Sequence, residues 1–296
     1  MKRRYRRNSR GSVSCIYGAG FMMVLLLSII ITFFQSDLRK RASCSWIHEN
    51  INEQEEFRAT PINEPLFSYL KSEGGREQGL PKLLTDMYFY EGVYHQEFTG
   101  SENQQKKIAF LKNDFPREYQ SLLASNEAIW ADIEYFPVAA SSWDESCSVT
   151  FGDSWRFERT YGGKRTHEGC DIMADINQRG LYPVVSITDG VVEQKGWLEK
   201  GGYRLGIRSS HGAYFYYAHL YSYGDLQVGD TVRAGELLGF MGDSGYGSEG
   251  TTGKFAVHLH MGIYIVTEHN QEQSINPYPV MRYLEDKKIR MDYGKP

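Results

Sequence analysis

Cysteine is scarce: the 296-residue chain has 4, namely Cys15, Cys44, Cys147 and Cys170. Cys15 falls at or inside a long apolar run, which leaves three beyond it. So sparse and odd a set excludes a disulfide framework. Cys147 and Cys170 can pair or stand as free small residues, and the sequence leaves both open. An excess of positive charge is also missing. The formal net charge is −4, and six cations with no acid precede residue 11, which leaves −10 on the remainder. An acidic body repels phosphates, so nucleic acid is excluded as a partner. A phosphate loop is absent too: Gly247 to Gly253 with Lys254 has the wrong spacing, and Phe255 stands where Ser or Thr is required, so no nucleotide is expected. His167-Glu168-Gly169-Cys170-Asp171 is not HExxH, because its fifth residue is Asp, so Glu168 is not a zincin base.

What is present suffices for a core. Hydrophobic residues make up 41% and aromatic ones 14%, with 21 Tyr, which argues against global disorder. Residues 11–36 carry no charge and centre on an almost continuous apolar stretch, Phe21 to Phe34. With Val13 to Ala19 it reaches the ~20 residues that span a bilayer as a helix. The cations before it, Lys2, Arg3, Arg4, Arg6, Arg7 and Arg10, mark that side as cytoplasmic. The expected layout is therefore a basic cytoplasmic tail at 1–12, a single transmembrane anchor at 13–36 and an extracytoplasmic remainder at the cell membrane. A cleaved signal peptide is the competing reading, with Ala42-Ser43-Cys44 the nearest cleavage site after the run.

Residues 37–61 read as a polar juxtamembrane spacer, and residues up to 135 as a small helical stalk or cap. Leu80, Leu83, Leu84, Met87 and Tyr88 follow an amphipathic helical spacing, with Pro81 in the first turn. From 136 to 296 short β-like runs alternate with Gly turns. Pro183–Ile187 and Val191–Glu193 are expected to form a hairpin across Asp189-Gly190, and Arg204–Arg208 and Tyr214–Leu220 another across Ser209–Gly212. Tyr283–Arg290 is expected to be a closing helix. The fold class that follows is mainly β: an antiparallel sheet or partly open barrel with a substrate groove, preceded by a small helical region and one N-terminal transmembrane helix. Gly239–Gly253 is expected to be a mobile loop walling the groove.

The chemistry centres on Lys254–Ile265, an alternating β-branched and aromatic strand. Its His258 and His260 emerge on one face, roughly 6.5–7 Å apart. His167 and Asp171 form an HxxxD pair. Two imidazoles and a carboxylate are good zinc ligands and leave a fourth position for water, which zinc acidifies toward a pKa of about 7. A closed structural site needs a fourth protein ligand, and Cys170 points away from Asp171's face in an extended segment. His48, His95, His211 and His269 are isolated and read as surface, turn or packing residues.

The order HEGxD-I, Asp189-Gly190-Val191-Val192, Tyr217-Ala218-His219-Leu220, Val228-Gly229-Asp230-x-Val232-x-Ala234-Gly235 and His258-Leu259-His260 resembles the lysostaphin-type, LytM-like zinc metalloendopeptidases that cleave peptidoglycan peptides. The resemblance covers roughly His167 to Ile265. It implies His167, Asp171 and His260 as Zn²⁺ ligands, and His219 and His258 as catalytic histidines facing the water or substrate. It also implies Tyr161 as an oxyanion-stabilising residue and a peptidoglycan peptide as the substrate. Imidazole, which titrates near neutral pH, suits a general acid or base. The alternative is a catalytically silent member serving as a scaffold or binding module in a cell-wall, division or sporulation complex. Such loss of function goes with lost ligands, and all five positions are filled here.

Overall fold

A computed structural model describes residues 10–72, 79–94, 98, 100–160 and 163–295. The chain forms two compact units, Met1–Trp46 and Ile47–Pro296. In the first, helix α1 (Arg10–Ser43) carries the apolar run, and Tyr17–Arg39 is long and apolar enough to cross a membrane. Phe21, Leu26, Ile30 and Phe33 are all at least half exposed along it. Among the described residues, no packing covers those side chains.

The second unit begins with helices. α2 (Glu55–Ala59) and α3 (Glu64–Lys71) are short. α4 (Leu80–Glu91) takes Pro81 in its first turn and ends at Gly92, whose φ of 76° supplies the left-handed cap. α5 (Glu102–Asp114) starts with a Ser101/Gln104 capping box, and α6 (Pro116–Trp130) again has proline at its start. α4 and α6 pack through Phe89 and Tyr119, whose ring centres lie 5.1 Å apart edge to face. The Tyr119 hydroxyl donates to the buried Asp86 carboxylate at 2.8 Å. About one third of the chain is helix. "Mainly β" therefore describes only the part after these helices.

That part opens with β1 (Ala140–Ser141), β2 (Val149–Phe151), β3 (Glu158–Arg159), β4 (Arg165–Thr166) and β5 (Cys170–Ala174). It continues through β6 (Pro183–Val185), β7 (Gly190–Leu198), β8 (Gly202–Ser209) and β9 (Tyr214–Tyr223). β10 (Thr231–Val232), β11 (Leu237–Met241), β12 (His258–Ile265) and β13 (Gln273–Ile275) follow, then helix α7 (Tyr278–Leu284) and β14 (Arg290–Met291). The main sheet is antiparallel and runs β10-β7-β8-β9-β12-β5-β2, with β11 joining β9 to β6 and β13 beside β12. Alternation gives this sheet two faces. Leu205, Ile207, Phe215, Tyr217, Leu259, Met261 and Ile263 are fully buried on one. Arg204, Arg208, Tyr214, Tyr216, His258, His260 and Tyr264 line a groove on the other.

Two expectations are corrected. β6 and β7 do not form a hairpin, because β6 pairs with β11 and β7 with β8 and β10. Gly190 is present for close approach rather than for a turn: a methyl there would overlap the Arg208 carbonyl across the ladder. The closing helix lies earlier, at Tyr278–Leu284, where Pro279 sits in the first turn and Val280, Met281 and Leu284 are buried. Glu285 to Lys288 offer no apolar side to continue it, and Arg290–Met291 instead pair in parallel with β1. The β8–β9 hairpin forms as the spacing predicts.

Candidate active site

Three residues meet on the groove face. β5 and β12 are antiparallel neighbours in which Asp171 and His260 are direct cross-strand partners, so their side chains leave the sheet together. Cys170, one residue earlier, turns to the core and is fully buried. His167 reaches in from the loop before β5. Its Nε2 lies 3.0 Å from His260 Nδ1 and 3.1 Å from Asp171 Oδ1, and His260 Nδ1 lies 2.9 Å from Asp171 Oδ1.

The donor chemistry of this triangle fits a cation. His167 Nδ1 faces the Ser154 carbonyl at 3.2 Å and the Ser154 hydroxyl at 2.9 Å. A carbonyl only accepts, so Nδ1 carries the proton and Nε2 of the neutral ring presents a lone pair. The 3.1 Å edge to Asp171 then sets two acceptors against each other, a conflict that a cation at the centre removes. Tetrahedral zinc with bonds near 2.0–2.1 Å needs ligand separations of about 3.3 Å, close to the distances seen. Among the described residues, this is the group of His, Cys, Asp and Glu side chains disposed to hold a metal. Burial favours the neutral form of His260 and lowers its pKa, over the opposing pull of Asp171. Burial alone would raise the pKa of Asp171, but its contacts with the His167 and His260 rings and the nearby imidazole charges outweigh it and hold the group below the usual carboxylate range.

The second carboxylate oxygen of Asp171 accepts from Arg159 Nη2 at 2.6 Å, which leaves Oδ1 as the inward atom. Gly169 makes room for the neighbouring ring, since a methyl there would overlap the His260 imidazole. The His167 segment is braced from outside. Its backbone exchanges hydrogen bonds with Arg156 and Phe157, both at 2.8 Å. Arg156 bonds Glu168 at 2.6 Å and Glu55 of α2 at 2.9 Å, and Glu55 also accepts from Trp155 Nε1 at 2.6 Å.

Two more histidines flank the triangle, with ring centres 4.8 Å apart. His258 Nδ1 donates to the Ala256 carbonyl at 2.8 Å, and its Nε2 lies 3.8 Å from Asp171 Oδ1. His219 Nδ1 donates to the Ser244 carbonyl at 2.7 Å. In each ring Nδ1 is committed to a carbonyl and Nε2 is the nitrogen left for the groove. His219 has φ of +63° at an irregularity in β9. Strand parity alone would send it to the core beside Tyr217; the left-handed residue turns it into the groove. Burial, then the charges of His258 and His260, hold its pKa well below the ordinary histidine range. Phe255 and Tyr246 pack on it from the loop after β11, which Arg179 clamps through Asp243.

Of the other sequence candidates, Tyr161 and His95 lie outside the described residues. His211 stands at the β8–β9 turn against Asp132, His269 against Glu53, and His48 Nδ1 accepts from Asn50. Cys147 and Cys170 are free and buried.

Residues 165–277 match the model of peptidase family M23. A structure from Ruminococcus gnavus, described as a glycyl-glycine endopeptidase LytM, is 45% identical. It covers 85% of this chain and 99% of its own, with a TM-score of 0.72. This chain belongs to peptidase family M23. Within the family, an L-Ala–D-Glu endopeptidase of Bacillus subtilis is 44% identical over 51% of this chain. Lysostaphin of Staphylococcus simulans is 30% identical over 39% of it. The matches span only 43% and 21% of those two proteins. The R. gnavus relative extends over the helical region as well, so the helices ahead of the sheet are not peculiar to this chain.

Proposed function

We propose that this chain is a zinc-dependent endopeptidase that hydrolyses stem peptides or peptide crosslinks of bacterial peptidoglycan at the outer face of the cytoplasmic membrane. The observation that carries the reading is the His167–Asp171–His260 triangle set beside two further imidazoles in a groove of about 650 Å³. M23 relatives named for L-Ala–D-Glu and for glycyl-glycine cleavage support the substrate class.

His167 Nε2, Asp171 Oδ1 and His260 Nδ1 would hold the zinc. Zinc bound there supplies Lewis acidity, polarising a peptide carbonyl and making water nucleophilic at neutral pH. His219 and His258 then act as general acid/base and oxyanion stabilisers. One Nε2 takes the proton from water and returns it to the leaving amine, while the other ring, as the imidazolium with a proton on Nε2, donates to the developing oxyanion. Their Nδ1 bonds to Ser244 and Ala256 fix both rings before substrate arrives. The family resemblance adds Tyr161 as an oxyanion contact. Arg159 orients Asp171 by holding the oxygen that faces away from the triangle.

The purified full-length chain in detergent should carry close to one equivalent of zinc, and Asp171→Ala or His260→Ala should lose most of it. His258→Ala should keep the metal and lose hydrolysis by about 10²–10⁴-fold. A wild-type protein with no affinity for zinc would sink the assignment. Zinc binding without cleavage of any wall peptide would favour a silent scaffold.

A further inference from the structure

Two corners of the donor triangle are fixed by the sheet, and the third is not. Asp171 and His260 stand on β5 and β12 as cross-strand partners, whereas His167 lies between β4 and β5 and belongs to neither. What holds it is a turn at residues 154–157, between β2 and β3. The Ser154 carbonyl and hydroxyl face the Nδ1 of its ring at 3.2 and 2.9 Å, and its backbone is paired with Arg156 and Phe157. The direction of His167 Nε2 is therefore only as well set as that turn, since the partner of a ligand's other nitrogen orients the ring.

The turn is gripped from the helical region. Glu55 of α2 holds two successive residues of it: Oε1 accepts from Trp155 Nε1 at 2.6 Å, and Oε2 accepts from Arg156 Nη2 at 2.9 Å. Trp155 is buried, and the guanidinium carbons of Arg156 and Arg58 lie 5.2 and 5.6 Å from its ring centre. Arg156 has φ of +63°, a left-handed conformation that a residue with a side chain keeps only where its surroundings impose it. Through Nη1 the same guanidinium donates to Glu168 Oε1 at 2.6 Å, one residue after His167. Glu168 Oε2 accepts from Ser274 Oγ at 3.0 Å, and that hydroxyl accepts from Arg58 Nη2 at 2.6 Å. Both carboxylate oxygens of Glu168 thus lead back to α2. Partly exposed ion pairs add little to global stability, so what this cluster contributes is local geometry.

We infer that Glu55 is a positioning residue for the metal site: by holding Trp155 and Arg156 it fixes residues 154–157, and through Ser154 the direction in which His167 Nε2 points. The inference rests on the peptidase reading above, because it concerns how tightly the triangle holds its metal. It makes α2 a part of the hydrolase rather than of a detachable stalk. The helical region is tied down elsewhere too, by Glu64 to Arg282 at 2.5 Å and by Lys71 to Asp286 at 2.8 Å. Those ties end on α7 and just past it, not on the segment that carries His167. They are ion pairs of the same kind and serve as the internal comparison.

The test uses the purified full-length chain in detergent and three variants, Glu55→Gln, Arg156→Lys and Glu64→Gln. Glutamine at 55 keeps an acceptor for Trp155 and removes the charge that holds Arg156. Lysine at 156 keeps the charge but lacks the fork that bridges Glu55 and Glu168. In a chelator competition, Glu55→Gln and Arg156→Lys should each hold zinc about tenfold more weakly than the wild type, and Glu64→Gln should match the wild type. With cobalt at saturation in place of zinc, the visible bands, which follow ligand geometry, should shift in Glu55→Gln and stay in place in Glu64→Gln. A merely structural brace would lower the thermal midpoint of the metal-free protein and move neither metal readout. Zinc affinity in Glu55→Gln within about twofold of the wild type overturns the inference while the peptidase reading stands, as does an equal loss in Glu64→Gln. A wild type with no affinity for zinc overturns both. If Glu55→Gln fails to fold, Arg156→Lys decides by the same measures.

Discussion

At the scale of single residues, the site depends as much on what is small as on what is reactive. Gly169 has no left-handed φ, so its backbone would accept alanine, yet the added methyl would fall on the His260 ring. Gly169→Ala should therefore fold, with an unchanged far-ultraviolet spectrum, while holding zinc much more weakly than the wild type in a chelator competition. The same substitution at an exposed glycine such as Gly152, where nothing lies within 4 Å, should leave zinc affinity alone. The reactive residues were legible in the sequence to different depths. His258 and His260 declare their shared face through strand alternation, and HxxxD declares a possible ligand pair. The side on which His219 emerges was not legible, because a single left-handed residue reverses it. Arg159 carries no local signal at all. It matters through the Asp171 carboxylate that lies beside it in space, and one-dimensional spacing does not report which strands become neighbours.

At the scale of elements, the helices ahead of the sheet touch it at specific clasps. Asp132, just past α6, accepts from the His211 backbone at 2.8 Å and from the His211 ring at 2.7 Å, which ties the β8–β9 turn to the helical region. Burial would raise the pKa of Asp132, but the bonds from His211 outweigh it and hold the carboxylate below its ordinary range. A carboxylate with a depressed folded-state pKa stabilises the fold above its unfolded value, near 3.9, and that contribution fades as pH falls through the folded value. Asp132→Asn should thus lower the thermal midpoint near pH 6, and the gap from the wild type should narrow steadily as the pH falls below about 3.9. A gap that persists unchanged into acid would show that the aspartate acts by packing alone. Elements with strong periodicity, such as Leu80–Glu91 and the β8–β9 hairpin, were readable in advance. The ones misread, β6 with β7 and the last helix, turn on close backbone approach at Gly190 and on a proline that opens a helix, and both depend on tertiary packing.

At the scale of the whole molecule, α1 carries a segment long and apolar enough to cross a membrane, as an anchor or a signal sequence would. If it anchors the chain, the protein should stay with membranes through an alkaline carbonate wash, and its N-terminus should begin before residue 10. A mature protein that begins after residue 42 would instead make the run a leader. The acidic body and the six leading cations differ sharply in sign, and this asymmetry was readable from composition alone.

The cross-strand pairing of Asp171 with His260 also has a consequence in time. These two residues are 89 apart in sequence, and His167 and His260 are 93 apart. The donor triangle therefore cannot exist in a partly folded chain; it closes only when β12 has found β5, after a long loop has been closed. An ion that binds only the closed state draws the folding equilibrium toward itself, by about 2.7 kcal/mol when free zinc stands at a hundred times its dissociation constant. Stripping the metal with a chelator should accordingly lower the thermal midpoint of the wild type and leave that of Asp171→Ala nearly where it was. If the triangle takes a metal, a chain deprived of it would complete the same sheet but hold it with a smaller margin against unfolding.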